Sequence, residues 1–144
     1  MNYQTFKENN YKPLNKFISK NVFFAFSDKQ FEEGLKKMGL THDDLNKLSK
    51  YYGGGFILKS SIKEHDKIAK QCHKAERKYL SKFKNLVSAL EYEMHNHECG
   101  YTGRYSEGLN ALGYSLEDLQ KNKKLLKAYR IARHKVYTWF IENN

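Results

Sequence analysis

The stretch from Ser61 to His97 contains neither glycine nor proline, and this limits what the chain can fold into more than any other feature of it. Ile68, Cys72, Ala75, Tyr79, Phe83, Leu86 and Leu90 recur at steps of three and four, which collects apolar side chains on one flank of a helix with 3.6 residues per turn. Lys63, Lys67, Lys70, Lys74 and Arg77 alternate at the same steps on the other flank. One helix over the whole stretch would be about 50 Å long, its first turns carrying a row of cations suited to a phosphate backbone. A solvated helix face is the plain alternative for such a row.

The rest of the chain is punctuated by side-chain acceptors followed three residues later by an acid or amide, the signature of a helix start. Ser27 with Gln30 opens a helix closed by Gly39, and Thr41 with Asp44 opens another that fades near Tyr51. Ser61 with Glu64 opens the long helix, Ser115 with Asp118 a short one after Gly113, and a last helix runs from about Lys123 to Ile141. Asn21–Phe26 and Gly53–Leu58 read instead as short β-prone runs that could pair as a small two-stranded ribbon packed on the long helix. The three consecutive glycines match no phosphate-binding loop and read as a hinge or tight turn.

Residues 31–45 repeat as residues 105–119, with six of fifteen positions identical, among them Gly34/Gly108 and Gly39/Gly113. Each copy reads as a short helix, a glycine at its end, a Thr or Ser cap and a second short helix. The expected fold is therefore mainly α (α+β). A long central amphipathic helix is flanked by two related helix-Gly-helix corners and a C-terminal helix, in a single domain over residues 1–144. The corners resemble helix-turn-helix modules, yet their second helices begin with Asp43 and Asp44 or Glu117 and Asp118, which repel phosphates, so the repeat reads as scaffold.

Charge is unevenly spread. The chain carries 26 Lys and Arg against 16 Asp and Glu. Residues 59–84 hold a net +6 and residues 121–135 a net +7 with no acid, which leaves −3 for the remainder. Such concentration favours an anionic partner. The expected contact residues are Lys63, Lys67, Lys70, Lys74 and Arg77 in the first block and Lys123, Lys127 and Arg130 in the second. With 21 aromatic residues the chain should order rather than remain disordered. No apolar run approaches the roughly 18 residues of a membrane span, and the polar N-terminus lacks a signal-peptide core, so a cytoplasmic protein is expected. Two cysteines make no disulfide framework.

His95-Asn-His-Glu-Cys99 is the best candidate for chemistry, since imidazole and thiolate both bind zinc. His95, His97 and Cys99 are its candidate ligands, with His134 and His42 as further partners, and Zn2+ is the one cofactor suggested. The alternative is that His97 and Glu98 hydrogen-bond the following turn. On an unbroken helix Cys72 and His73 lie about 35 Å from His95, out of reach of a shared metal or of a Cys72–Cys99 disulfide. Catalysis would need a nucleophile, a base and an oxyanion site together, and only the sequence neighbours His97, Glu98 and Cys99 could be nominated. The chain therefore reads as non-enzymatic.

Val22-Phe-Phe-Ala-Phe-Ser-Asp-Lys-Gln-Phe-Glu-Glu-Gly-Leu35, Gly53-Gly-Gly-Phe-Ile57 and Asn96-His-Glu-Cys-Gly-Tyr-Thr-Gly103 resemble segments of a group of small proteins from phages and mobile elements of low-GC and gut bacteria. The resemblance covers about residues 20–140 and carries no activity with it. Arg104 follows the Tyr-Thr-Gly turn, where the resemblance implies an acidic residue. The resemblance implies a context, that of phage proteins which inhibit host defence, anti-CRISPR proteins among them. The leading expectation is a binding protein that docks through a basic, aromatic surface on a host protein or nucleoprotein complex such as a CRISPR-Cas effector, in the host bacterial cytosol, as a monomer or a homodimer. Direct DNA or RNA binding and a structural or hydrolytic zinc are the alternatives.

Overall fold

The computed structural model describes residues 2–144. It is mainly α with one small antiparallel sheet, as expected, and divides into two compact units, Asn10–Lys74 and the residues up to Asn9 together with Ala75–Asn144. Each unit holds one copy of the repeat.

α1 (Tyr3–Asn21), which enters the unit 10–74 at Asn10, leads directly into β1 (Val22–Phe24) and then α2 (Asp28–Lys37). The expected two-stranded ribbon is a sheet of three strands. β3 (Gly55–Leu58) pairs antiparallel with β1 on one side and with β2 (Leu48–Tyr51) on the other. The helix expected from Thr41 to near Tyr51 is replaced by one 3-10 segment, His42–Lys47, which gives way to β2. Its Thr41 cap and Asp44 form, as the sequence indicates, but Leu48–Tyr51 gains more by pairing with the centre strand than a short helix with no buried residue would gain. Phe23 and Phe56 face each other in the register and meet Phe31 of α2, the three rings lying 5.1–5.8 Å apart. On the other face of β3, Ile57 lies near Ile62 and His65 of α3 (Ile62–Leu80). In this unit α1 is tied to α3 where the Asn10 side-chain amide donates to the Cys72 carbonyl at 2.9 Å and the Cys72 thiol donates to the Asn10 carbonyl at 3.2 Å.

The uninterrupted rod is not formed. α3 ends at Leu80 and α4 (Phe83–Asn96) begins after a turn at Ser81 and Lys82. No glycine or proline is needed, because side chains take over the carbonyls that the helix would otherwise have to continue to satisfy. The Ser81 hydroxyl donates to the Lys78 carbonyl at 2.6 Å, the Asn85 amide to the Tyr79 carbonyl at 3.0 Å, and the Lys124 ammonium to the carbonyl of Ser81 itself. The 35 Å separation of Cys72 from His95 therefore does not follow; both Cys72 and Cys99 are buried free thiols, one in each unit.

In the other unit, α4 packs against α8 (Lys123–Asn143) and the shorter α6 (Ser106–Ala111), with α5 (Cys99–Thr102) and α7 (Leu116–Lys121) at the joins. Leu86, Leu90 and Met94 meet Leu109, Leu112, Leu125 and Val136 in its core. An aromatic group of Tyr3, Phe6, Tyr79 and Tyr92 closes one side, with Phe6 stacked on Tyr79 at 4.1 Å.

The repeat is conformational as well as sequential. Gly39 and Gly113 both take left-handed φ, 70° and 84°, and the following amide donates back to Leu35 in one copy and Leu109 in the other. Asp44 Oδ2 accepts from the Thr41 amide at 3.0 Å, and Asp118 Oδ2 from the Ser115 amide at 2.8 Å. Hydrogen bonding from the Thr41 backbone, aided by Lys47, holds the Asp44 carboxyl below its ordinary value.

Candidate nucleic-acid interface on the last helix

α8 is built from the densest run of cations in the chain, and it begins badly by local rules. Its first turn contains Lys123 and Lys124 and no acid, although the positive end of a helix dipole disfavours cations. Only Asn122, whose side chain accepts from the Leu125 amide at 3.0 Å, stabilises that end. Leu125, Ala128, Tyr129, Ala132 and Val136 bury one flank. Lys123, Lys127, Arg130, His134 and Tyr137 follow at steps of four and three along the opposite, exposed flank.

The turn after α4, left-handed at Glu98 and again at Gly103, lies against this flank. Gly100, Tyr101, Thr102 and Gly103 share with Arg130, Arg133, His134 and Tyr137 a concavity of about 600 Å³, whose floor includes Tyr105. The Arg133 guanidinium lies 5.0 Å over the Tyr105 ring, and the Lys127 ammonium 5.7 Å over Phe83. Tyr101 is 79% exposed and Tyr137 53%, so both rings stand in solvent beside the arginines. Burial pushes the Tyr105 phenol up, partly offset by Arg133, so it stays a neutral hydrogen-bonding group there. Cations and flat rings without a carboxylate in the lining can hold phosphates and stack bases.

The first basic block is arranged differently. Lys63, Lys67, Lys70 and Lys74 are exposed on one face of α3, as expected. Arg77 is not a free contact residue, because its guanidinium donates to the Leu112 carbonyl, lies 5.0 Å over Tyr114 and approaches Glu76 at 4.0 Å. It braces the corner at Gly113.

The proposed zinc ligands do not converge. The His95 ring meets Trp139 edge to face at 4.9 Å, His97 Nε2 lies 3.5 Å from Glu93 Oε2, and Cys99 is wholly buried, its thiol pushed up by desolvation. Among the described residues no group of three or more His, Cys, Asp and Glu side chains is gathered as a metal requires. Glu93, itself buried, also takes the Lys7 ammonium at 2.9 Å. His97 thus lies against the Lys7–Glu93 ion pair within the unit.

Sequence reasoning passed over a second polar array. The Tyr51 hydroxyl and His65 Nε2 are 2.8 Å apart, and His65 Nδ1 lies 3.0 Å from Asp66 Oδ1, at the edge of a hollow of about 420 Å³. The geometry is that of a base activating a hydroxyl. Burial nevertheless pushes the Tyr51 phenol up, and the nearby Tyr52 and Asp66 add to this, so the proton stays on oxygen and the array ties β2 to α3. Tyr51 and His65 lie in separate elements, 14 residues apart, with no shared motif to mark them.

The profile of one protein family, described as a family of unknown function (DUF7659), matches residues 2–135. No curated protein and no solved structure matches the chain. Among the described residues no helix is long and apolar enough to cross a membrane.

Proposed function

Since the chain belongs to this family of unknown function, DUF7659, its geometry has to carry the reading, and from it we propose a non-catalytic protein that binds single-stranded nucleic acid along α8. The observation that supports this most is the acid-free concavity in which Arg130, Arg133 and His134 adjoin the exposed rings of Tyr101 and Tyr137. Arginines neutralise phosphates, while tyrosine rings stack on any base, giving affinity with little sequence preference. The cations at the start of α8 fit the same reading. They weaken the helix locally, and such broken local rules concentrate where function requires them.

Binding of a labelled oligonucleotide, followed by anisotropy across salt concentrations, tests the proposal. Four phosphate contacts through Lys123, Lys127, Arg130 and Arg133 give a slope of log affinity against log salt of about −3 for a single strand. Arg130→Glu with Arg133→Glu should abolish most binding and flatten the slope by at least one. A slope near zero in the unaltered protein sinks the proposal. An inhibitor seated on a host nucleoprotein complex such as a CRISPR-Cas effector is the second reading, favoured by the exposed Trp139 and Ile141 in the last turns of α8. It predicts retention of the complex by the protein but no shift of naked oligonucleotide.

A further inference from the structure

A second cleft of the same unit, of about 890 Å³, has a different character. Its lining includes His95, Tyr101, Trp139 and Phe140, with Met94 beneath and Glu98 at the side. The rings are set edge to face in two pairs, His95 with Trp139 at 4.9 Å and Tyr101 with Phe140 at 6.3 Å. Among the described residues neither Lys nor Arg lines it, although the chain as a whole carries a net charge of +10.

Glu98 is the one described residue other than glycine with positive φ, at 53°. Its backbone is pinned there, the amide donating to the His95 carbonyl and the carbonyl accepting from the Tyr101 and Thr102 amides, all at 3.1 Å. Its carboxylate has no hydrogen bond or ion pair among the described residues and does not cap α5. A glycine or asparagine would sit in this conformation with less strain. The position instead holds an unpartnered negative charge beside four aromatic rings.

We propose that this cleft binds the head of an organic cation bearing a methylated, quaternary ammonium group. Aromatic faces attract a cation through their quadrupole, and the attraction is strongest for cations that shed water easily. Methylation spreads the ammonium charge over apolar surface that suits Met94, Trp139 and Phe140, while Glu98 supplies the counter-charge. A primary ammonium, tightly hydrated, fits this lining less well. The site is separate in chemistry from the cationic face of α8 and does not rest on the nucleic-acid reading.

Trp139 is the chain's single tryptophan, so intrinsic tryptophan fluorescence reports on this cleft alone. Choline and tetramethylammonium should change that fluorescence saturably, about tenfold more tightly than the uncharged choline isostere 3,3-dimethylbutan-1-ol and than ethanolamine. Glu98→Gln should weaken choline binding about fivefold and leave the isostere unchanged. Glu98→Gly, which removes the same charge and relieves the left-handed backbone, guards against a folding artefact and should weaken choline equally. Saturation-transfer NMR on the probe methyl groups repeats the measurement without relying on the indole. Equal binding of the isostere, unaltered choline affinity in both Glu98 variants, or no saturable signal from choline by either method overturns the proposal. Oligonucleotide binding by α8 is scored separately, so either result can fail alone.

Discussion

Gly108→Ala is the sharpest test of how the helical corner docks. A Cβ built at Gly108 would lie 2.6 Å from Met94 Cγ, 2.9 Å from the Met94 amide nitrogen and 3.0 Å from its Cα. Rotating Met94 relieves only the first of these, and Met94 is itself wholly buried. Relief of the other two requires α6 to move away from α4 by several tenths of an ångström, opening the core around Leu90 and Leu109. Overpacking of this kind costs typically 1–3 kcal/mol, and the backbone contact places this substitution near the upper end, about 3 kcal/mol. For a chain of this size that is roughly 10 °C in melting temperature, readable by circular dichroism at 222 nm. Gly39→Ala is the matched control, since nothing lies within 4 Å of its added Cβ and only its φ of 70° is strained, at a cost of about 1 kcal/mol. Gly34→Ala, which drives a methyl into the buried ring of Phe23, should resemble Gly108→Ala rather than the control. If Gly108→Ala melts within a degree or two of Gly39→Ala, close approach is not what the inner glycine of the repeat provides, and the reasoning fails.

Three further outcomes follow from buried polar groups. Tyr51→Phe leaves His65 Nε2 without its partner in a largely buried setting, at a cost of about 1–2 kcal/mol in urea unfolding; an unchanged midpoint would show the array to be idle. Burial raises Tyr51, Tyr79, Tyr105 and Tyr129 above their ordinary 10.0, and Cys72 and Cys99 above 9.0. The unfolded chain therefore loses these protons first, so stability is intact below about pH 9 and falls as pH rises through the folded values; urea midpoints that hold level from pH 7 to pH 11 refute this. Cys99, with no exposed surface, should react with a thiol reagent at least about a hundredfold more slowly in the native protein than in denaturant, and fast native labelling of the Cys72→Ala protein, in which Cys99 is the one thiol left, contradicts its placement.

What the sequence could announce was whatever is encoded over four or five neighbouring residues. The Ser27, Thr41 and Ser115 starts, the left-handed Gly39 and Gly113, and α8 from Lys123 were all legible for that reason. β2 was not, because Leu48–Tyr51 becomes a strand only by the presence of β3, and nothing within Leu-Ser-Lys-Tyr requires it. α1 was equally silent, with Pro13 inside it and weak amphipathy, and its helix is fixed by contacts such as Phe6 on Tyr79 and Asn10 on Cys72. The break at Ser81 and Lys82 shows the reverse case. Absence of Gly and Pro permits a continuous helix without compelling one, and a serine, an asparagine and a distant lysine suffice to end it. In the site, the stripe of cations on α8 was visible as periodicity, whereas Tyr101 joins it only through the turn at Gly100–Gly103.

The same corner also explains why the nucleic-acid reading falls on α8 and not on the repeat. At the start of a helix, free amides are the groups that would receive a phosphate. In both copies the cap hydroxyl and the carboxylate three residues on already occupy that end. Thr41 and Ser115 accept from the first turn, while Asp44 and Asp118 take the cap amides in return. A phosphate arriving there would meet two acids in each first turn, Asp43 and Asp44 or Glu117 and Asp118, and find its donors taken. The corner is stable because it carries its own anion, and for that reason it cannot serve as an anion site. The cations that a polyanion needs are instead displayed on α8, immediately after the second corner, where Asn122 starts the helix and no carboxylate lies in its first turn.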